Sequence, residues 1–244
     1  MFHDKPVISK MIRIVILHAI VLICLALIAT LTLKNYFYTS AKKAFEEGQY
    51  EVFSHYLNLS DKDYFELPSD TSNVPSSVFA DCKNLKFNEY GGCRYLGSQG
   101  NPYYALVSAY KAEKSYEIHP RTVVICDGAF GGYKSISNFV VPIENEYFVS
   151  VDGCLYTKDM TRLIHYATGR EDEIFFVPET VKTIDAFAFY YDAHLKSVVL
   201  PNHLQRIGDH AFGYSLIEYI EIPNTAVVIG EGAFSNSAIR SMTK

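Results

Sequence analysis

The chain has 244 residues, 49% of them hydrophobic and 20% charged, with a formal net charge of −5 and a pI near 5.9. That is enough chain for one or two domains with a real core, and it excludes a disordered or collagen-like polymer. The acidic balance argues against a nucleic-acid partner, and five scattered cysteines do not make a disulfide framework.

Residues 14–33 form a run of twenty without a charge. At about 1.5 Å per residue such a helix spans about 30 Å, the thickness of a bilayer core. Lys5, Lys10 and Arg13 precede it, offset by Asp4, and a basic flank keeps residues 1–13 in the cytoplasm as a short tail. Three readings fit the run: an uncleaved signal-anchor, a cleaved signal peptide and a buried core helix. Its length favours the anchor, since a signal peptide has a shorter apolar stretch and a small-residue cleavage site. The expected localisation is a single-pass membrane protein with its C-terminal body outside the cytoplasm, or a secreted one if the segment is removed. The 211 residues after Leu33 carry 19 basic and 26 acidic residues, net −7, so the body has no electrostatic reason to hold anionic lipid.

Residues 34–80 read as a juxtamembrane helix and linker. Ala41 to Tyr56 has a loose helical pattern, Asn58-Leu59-Ser60 fits a glycosylation acceptor, and Asp70 to Ser77 has linker composition. Residues 81–115 are expected to form an N-terminal β cap. Two strands, Arg94-Tyr95-Leu96 and Tyr103 to Val107, flank a turn at Gly97 to Pro102 and cover the open edge of the first coil.

Residues 116–244 repeat. Ala-Phe occurs at Ala129-Phe130, Ala188-Phe189, Ala211-Phe212 and Ala233-Phe234, the last three phenylalanines 23 and 22 residues apart. An isoleucine stands five residues before each phenylalanine, and Pro178, Pro201 and Pro223 stand six before Ile184, Ile207 and Ile229. A short alternating strand precedes each proline, with Phe139 and Val141, Phe175 and Val177, Val198 and Leu200, and Ile220 and Ile222 on its inner side. His119 stands where later units have proline. A unit this short cannot bury its own apolar face, so the units must stack into a solenoid with a parallel strand ladder. Pro142 to Pro178 is thirteen residues longer than a 23-residue period. The excess, at about 143–170, reads as a β-hairpin insertion around a polar turn at Lys158 to Thr161.

Val177-Pro178-Glu179-Thr180-Val181-Lys182-Thr183-Ile184 followed by Ala188-Phe189 resembles the BspA-type (Treponema pallidum-like) leucine-rich repeat. Leu200-Pro201 with Ile207 to Phe212, and Ile222-Pro223 with Ile229 to Phe234, are similar. The resemblance implies a β-rich leucine-rich-repeat solenoid with short irregular or helical returns, here preceded by one transmembrane helix. It also implies a noncatalytic surface module that binds other proteins, as in adhesion. Such repeats often carry cysteine three residues after the phenylalanine; here Tyr133 and Asp192 stand there, so no cysteine ladder is expected. The last unit stops at Lys244 without a capping unit, which leaves a frayed end, a covering partner or a truncated frame as readings, and self-association through this coil as a structural or assembly role.

Eight histidines, with His194, His203 and His210 in one repeat, show no metal-ligand spacing. Neither a cofactor nor a catalytic residue is expected, and an exported enzyme is the weakest reading. Cys82 and Cys93 are close enough in sequence to pair in an oxidising compartment, while Cys126 and Cys154 read as small buried hydrophobes. The candidate protein-binding residues are aromatic or outward-facing. Tyr133, Tyr190, Tyr191 and Tyr214 follow the Ala-Phe pairs, and Phe176 and Val199 occupy the outward strand position with Val140 and Glu221. Against this stands the plainer role of tyrosine as a half-buried turn or strand residue.

Overall fold

A computed structural model describes residues 5–67, 74–225, 228–239 and 241–243. The start of the expected tail, the first half of the expected linker and Lys244 lie outside the described residues. The chain divides into two units, one running to Asp63 and taking in Asp81–Asn84, the other holding Tyr64–Ala80 and Leu85 onward.

The first unit is built on α1 (Lys5–Glu46) and α2 (Tyr50–Leu59). Its apolar stretch, from Val15, is long and apolar enough to cross a membrane, with mean hydropathy 2.7 in its most apolar part and none of that part buried in protein. The helix does not stop where the apolar residues stop. It continues to Glu46, where Ala41, Ala44 and Phe45 are buried. The helical pattern expected across Ala41 to Tyr56 is therefore broken at Glu47–Gln49. Gly48 takes φ +71°, a left-handed conformation that costs glycine little, and its N–H donates to Phe45 O. The chain then turns back, and Phe53 of α2 meets Phe45 edge to face with centroids 5.1 Å apart. Asn58 is engaged at both ends of its amide: Nδ2 donates to Asp81 O, and Oδ1 accepts from Lys83 N–H. That opposes the glycosylation role its spacing suggests.

The second unit opens on a sheet of β1 (Asn88–Tyr90), β2 (Cys93–Leu96) and β3 (Ala105–Ala109), all antiparallel neighbours. The expected two-strand cap gains a strand in β1. The linker expectation fails over its described second half. Val74 and Phe79 are buried, and the Val74–Ser76 backbone exchanges hydrogen bonds with Asp127, docking this segment on the first coil.

The first coil consists of β4 (Ser115–Glu117) and β5 (Val124–Ile125). β5 pairs in parallel with β3, so the cap extends the solenoid's own ladder. His119 does start the turn that proline starts elsewhere: Thr122 N–H donates to its carbonyl as Val181 N–H donates to Pro178 O and Leu204 N–H to Pro201 O. The second coil begins with β6 (Asn138–Val140), parallel to β4. The insertion that follows is a meander of three strands, β7 (Phe148–Val151), β8 (Cys154–Thr157) and β9 (Arg162–His165), not a two-stranded hairpin. Its third strand is also the return strand of the coil, because β9 pairs in parallel with β11 (Thr183–Ile184).

From there the repeat is regular. β10 (Ile174–Phe176), β12 (Ser197–Val199), β14 (Tyr219–Glu221) and β16 (Ser241–Thr243) form one parallel sheet. β11, β13 (Arg206–Ile207) and β15 (Val228–Ile229) extend the sheet of β7–β9. The returns thus carry a second ladder of two-residue strands where irregular or helical chain was expected. The Ala-Phe turns add a further hydrogen-bonded ladder. Phe187, Phe189 and Tyr191 N–H donate to Asp209, Ala211 and Gly213 O, and His210, Phe212 and Tyr214 repeat the pattern one coil on.

The inner residues of each strand fall where the alternation places them. Val198 and Ile220 are buried in register with Phe175, and Val177, Leu200 and Ile222 are buried before or at the prolines' edge. Phe189, Phe212 and Phe234 stack along the solenoid at 4.8 and 5.4 Å, with Tyr166 continuing the column at 5.1 Å from Phe189. Burying one such ring contributes roughly 2–3 kcal/mol. A second core, around Tyr95, Tyr116, Phe130 and Phe139, joins the cap to the first two coils.

Candidate functional site

The six candidate residues divide between two surfaces, and one of them stands apart. Phe176 and Val199 are direct neighbours across β10 and β12, followed in register by Glu221. Both point away from the core, at 69% and 44% exposure. The pattern follows from the pleat: Phe175 and Val198 fill the interior, so their successors must face out. The same rule adds two residues that the sequence pattern left unmarked, Ile174 and Tyr219, which flank Ser197 in register and are both exposed. Their signal was available, since each stands two residues from an outward position already identified. Together they make an apolar sheet face bordered by Glu221, Glu173 and Lys196, the last two ion-paired across the strands. Such a face, rimmed by charge, has the anatomy of a protein-binding surface.

Tyr190, Tyr191 and Tyr214 come together in the turns, with ring centroids 4.3, 5.5 and 5.1 Å apart. Burial and a hydrogen bond to Tyr191 push the Tyr190 hydroxyl upward. Two further rings belong to this cluster, Phe187 at 5.0 Å from Tyr190 and His210 stacked on Phe187 at 5.4 Å. Both have positive φ, at the position where neighbouring turns carry Gly128 and Gly232. Aligning that column would have marked Phe187 and His210 as unusual. Phe187, Tyr190, Tyr191 and His210 line a groove of about 680 Å³ that also includes Gly128, Gly131, Asp127 and Asp209. Tyr133 lies elsewhere, half-buried and 6.1 Å from Tyr116 against the cap core.

The residue three after each phenylalanine closes its turn. Asp192 Oδ1 accepts from the N–H groups of His194 and Leu195, while Ser215 and Ser237 donate to Phe212 O and Phe234 O. Asp185 occupies the column of Gly208 and Gly230 and receives Arg162 Nε at 2.5 Å. Burial pushes its carboxyl up to about 7, although the Arg162 guanidinium pulls it down. His165 is buried between Phe130 and Phe139, its Nδ1–H donating to Tyr166 O, and burial pushes it down to about 4. Both groups are enclosed in the coils and serve packing.

The histidines of the third and fourth coils do not converge. His194 is exposed, His203 reaches Glu179, and His210 Nδ1 meets Ser235 Oγ at 3.0 Å. Among the described residues, no group of three or more His, Cys, Asp or Glu side chains could hold a metal ion. Cys93 is a free thiol, which corrects the pairing with Cys82 considered for it, and Cys126 and Cys154 are buried and free as expected.

Residues 171–243 match the family model described as the BspA type leucine rich repeat region, in six copies. Residues 171–243 are BspA-type leucine-rich repeats. The match begins at the third coil, just after the three-stranded insertion. The first two coils therefore stand on their strand registers alone, with Tyr116 opposite Phe139 where the BspA-type repeats place Val198 opposite Ile220. Solved structures are similar as well. A leucine-rich repeat protein from Eubacterium ventriosum shares 27% identity over 53% of this chain and 36% of its own, with a TM-score of 0.48. The pneumococcal vaccine antigen PcpA shares 20% identity over 75% of this chain and 50% of its own, at 0.49. A leucine rich cell surface protein from Faecalibacterium prausnitzii shares 20% identity over 74% and 59%, at 0.43. The chain spans less than two thirds of each of these structures. No curated protein matches.

Proposed function

We propose that the protein is a membrane-anchored, extracytoplasmic, noncatalytic module that holds a protein ligand on the outward face of its parallel strands, in a role such as adhesion. The observation that carries this reading is Phe176. A phenylalanine at 69% exposure on the edge strand β10, on the same outward face as Val199, Ile174 and Tyr219, gains nothing in the free protein. It gains roughly 2–3 kcal/mol once a partner covers it. The BspA-type repeats and the cell-surface protein among the similar structures support the class of function. The apolar α1 supports the anchor, with the body outside under the basic flank at Lys5, Lys10 and Arg13.

The test is alanine replacement at Phe176 and Val199 in the full chain, followed by titration against a captured partner. Each single variant is expected to weaken binding about tenfold or more, with unfolding midpoints unchanged because neither side chain is in the core. Unchanged affinity in both variants would remove the strand face from the account. A second reading has one observation behind it: Val228 and Ile229 of β15 are both exposed at the edge of their sheet. Stacking of a second copy there predicts a mass that rises with concentration, and a constant monomer mass would dismiss it.

A further inference from the structure

The turn groove exists because the second coil has no Ala-Phe turn. Coils one, three, four and five carry that turn, whereas the second passes this side as His165-Tyr166-Ala167-Thr168-Gly169. The first coil therefore faces the third directly. Asp127 Oδ1 accepts from Ala186 N–H at 2.8 Å across 59 residues of sequence. One wall of the groove is Gly128, Gly131 and Gly132; the other is Phe187, Tyr190 and Tyr191. The carboxylates of Asp127, Asp209 and Glu231 line it, and among the described residues no lysine or arginine does. Asp127 has Arg206 at 3.8 Å, and one oxygen of Asp209 accepts from Glu231 N–H; Asp209 and Glu231 are exposed. One aromatic ring of the groove already faces a cation of this chain. Lys134, projecting from beside the glycine wall, sets its ammonium 3.6 Å from the Tyr191 ring centroid.

We propose that this groove takes a lysine or arginine side chain from an extended segment of a protein partner, and that Lys134 holds its place in the free protein. Aromatic faces attract cations through the ring quadrupole, and the attraction grows when carboxylates stand close and water is partly excluded. Phe187 and His210, stacked at 5.4 Å, extend the aromatic wall beside Tyr190 and Tyr191 and offer further ring faces to the cation. The body's net charge of −7 favours approach of a basic segment. The strand face and this groove share no residue, so the two sites act separately.

The experiment uses the full chain in detergent micelles and a fluorescent heptapeptide, Gly-Ser-Arg-Gly-Arg-Ser-Gly, with a twin in which citrulline replaces both arginines. The arginine peptide is expected to bind about tenfold or more tightly than its neutral twin. Lys134→Ala removes the internal competitor and is expected to tighten binding about threefold. Tyr191→Asn, chosen because asparagine tolerates the positive φ, is expected to weaken it about threefold or more, and Phe176→Ala to leave it unchanged. Equal binding of the twin peptides, no binding of either at about 10 mM, or an affinity unmoved or lowered by Lys134→Ala would overturn the proposal. Loss of peptide binding in Phe176→Ala would overturn the separation of the two sites.

Discussion

Phe187 closes on Gly131 across the place where the second coil lacks a turn. A Cβ at position 131 would lie 2.7 Å from Phe187 Cγ and 2.9 Å from its Cβ. The aromatic ring substitutes for a missing piece of solenoid, and the opposite wall has had to give up its side chain.

Gly131→Ala should therefore destabilise the protein by about 1–3 kcal/mol, because the new methyl overpacks a filled site. Phe187→Gly, which also removes the Cβ and suits the positive φ, should empty that site, and Gly131→Ala in that background should cost under about 0.5 kcal/mol. Urea unfolding of the four chains in the cycle measures the coupling. Additive losses would mean the two residues do not meet.

Asn145 joins the first coil to the insertion. Its side chain is fully buried; Nδ2 lies within bonding distance of the carbonyls of His119, Pro120 and Thr122, and Oδ1 accepts from Tyr147 and Phe148 N–H. Asn145→Ala should cost about 2–4 kcal/mol by stranding buried backbone groups. Asn145→Asp should cost at least as much, since it keeps the acceptor but turns a carboxylate toward three carbonyls. Thermal melts of both variants check the order.

Stability should fall in mild acid through His165. Burial holds its folded-state imidazole at about 4 against an ordinary value of 6.5, so between those values the unfolded chain binds the extra proton. Full stability is present above pH 6.5 and declines as pH drops through 4, by about 3 kcal/mol from this group. His165→Leu should start less stable, having lost the bond to Tyr166 O, but lose that much less between pH 6.5 and 4. Unfolding free energies at half-unit pH steps give the comparison.

The thiols should be inert in the folded protein. Burial pushes Cys93 and Cys126 up to about 12 and Cys82 and Cys154 up to about 11. Intact mass after iodoacetamide at pH 8 should show none of these four alkylated natively and all four alkylated in denaturant without reductant. A mass two units short in the denatured sample would reveal a disulfide.

The repeat was legible because its residues are forced. A phenylalanine every 22 or 23 residues, with proline closing each strand, fits few architectures besides stacked coils, and the outward residues Phe176 and Val199 follow from the inward ones. The features that escaped lacked periodicity. Thr183–Ile184, Arg206–Ile207 and Val228–Ile229 are strands of two residues, too short to alternate, and become visible only when stacked. β7 was hidden because Phe148–Val151 alternates only weakly in burial. Val74 to Ser76 dock through backbone hydrogen bonds, which leave no mark on side-chain type. The groove was illegible for a further reason: it is made by an absence in the second coil, and one wall by Phe187 at a position that favours glycine.

The central claim is that the Phe176 face holds a protein ligand, and site-specific photocrosslinking tests it most directly. The full chain, carrying benzoylphenylalanine at position 176, 199 or 146 in turn, is irradiated in its native cells. The account predicts one discrete crosslinked protein shared by positions 176 and 199 and absent from position 146, where Glu146 lines a different surface. Absence of a product at both strand positions, or the same product at all three, would contradict it.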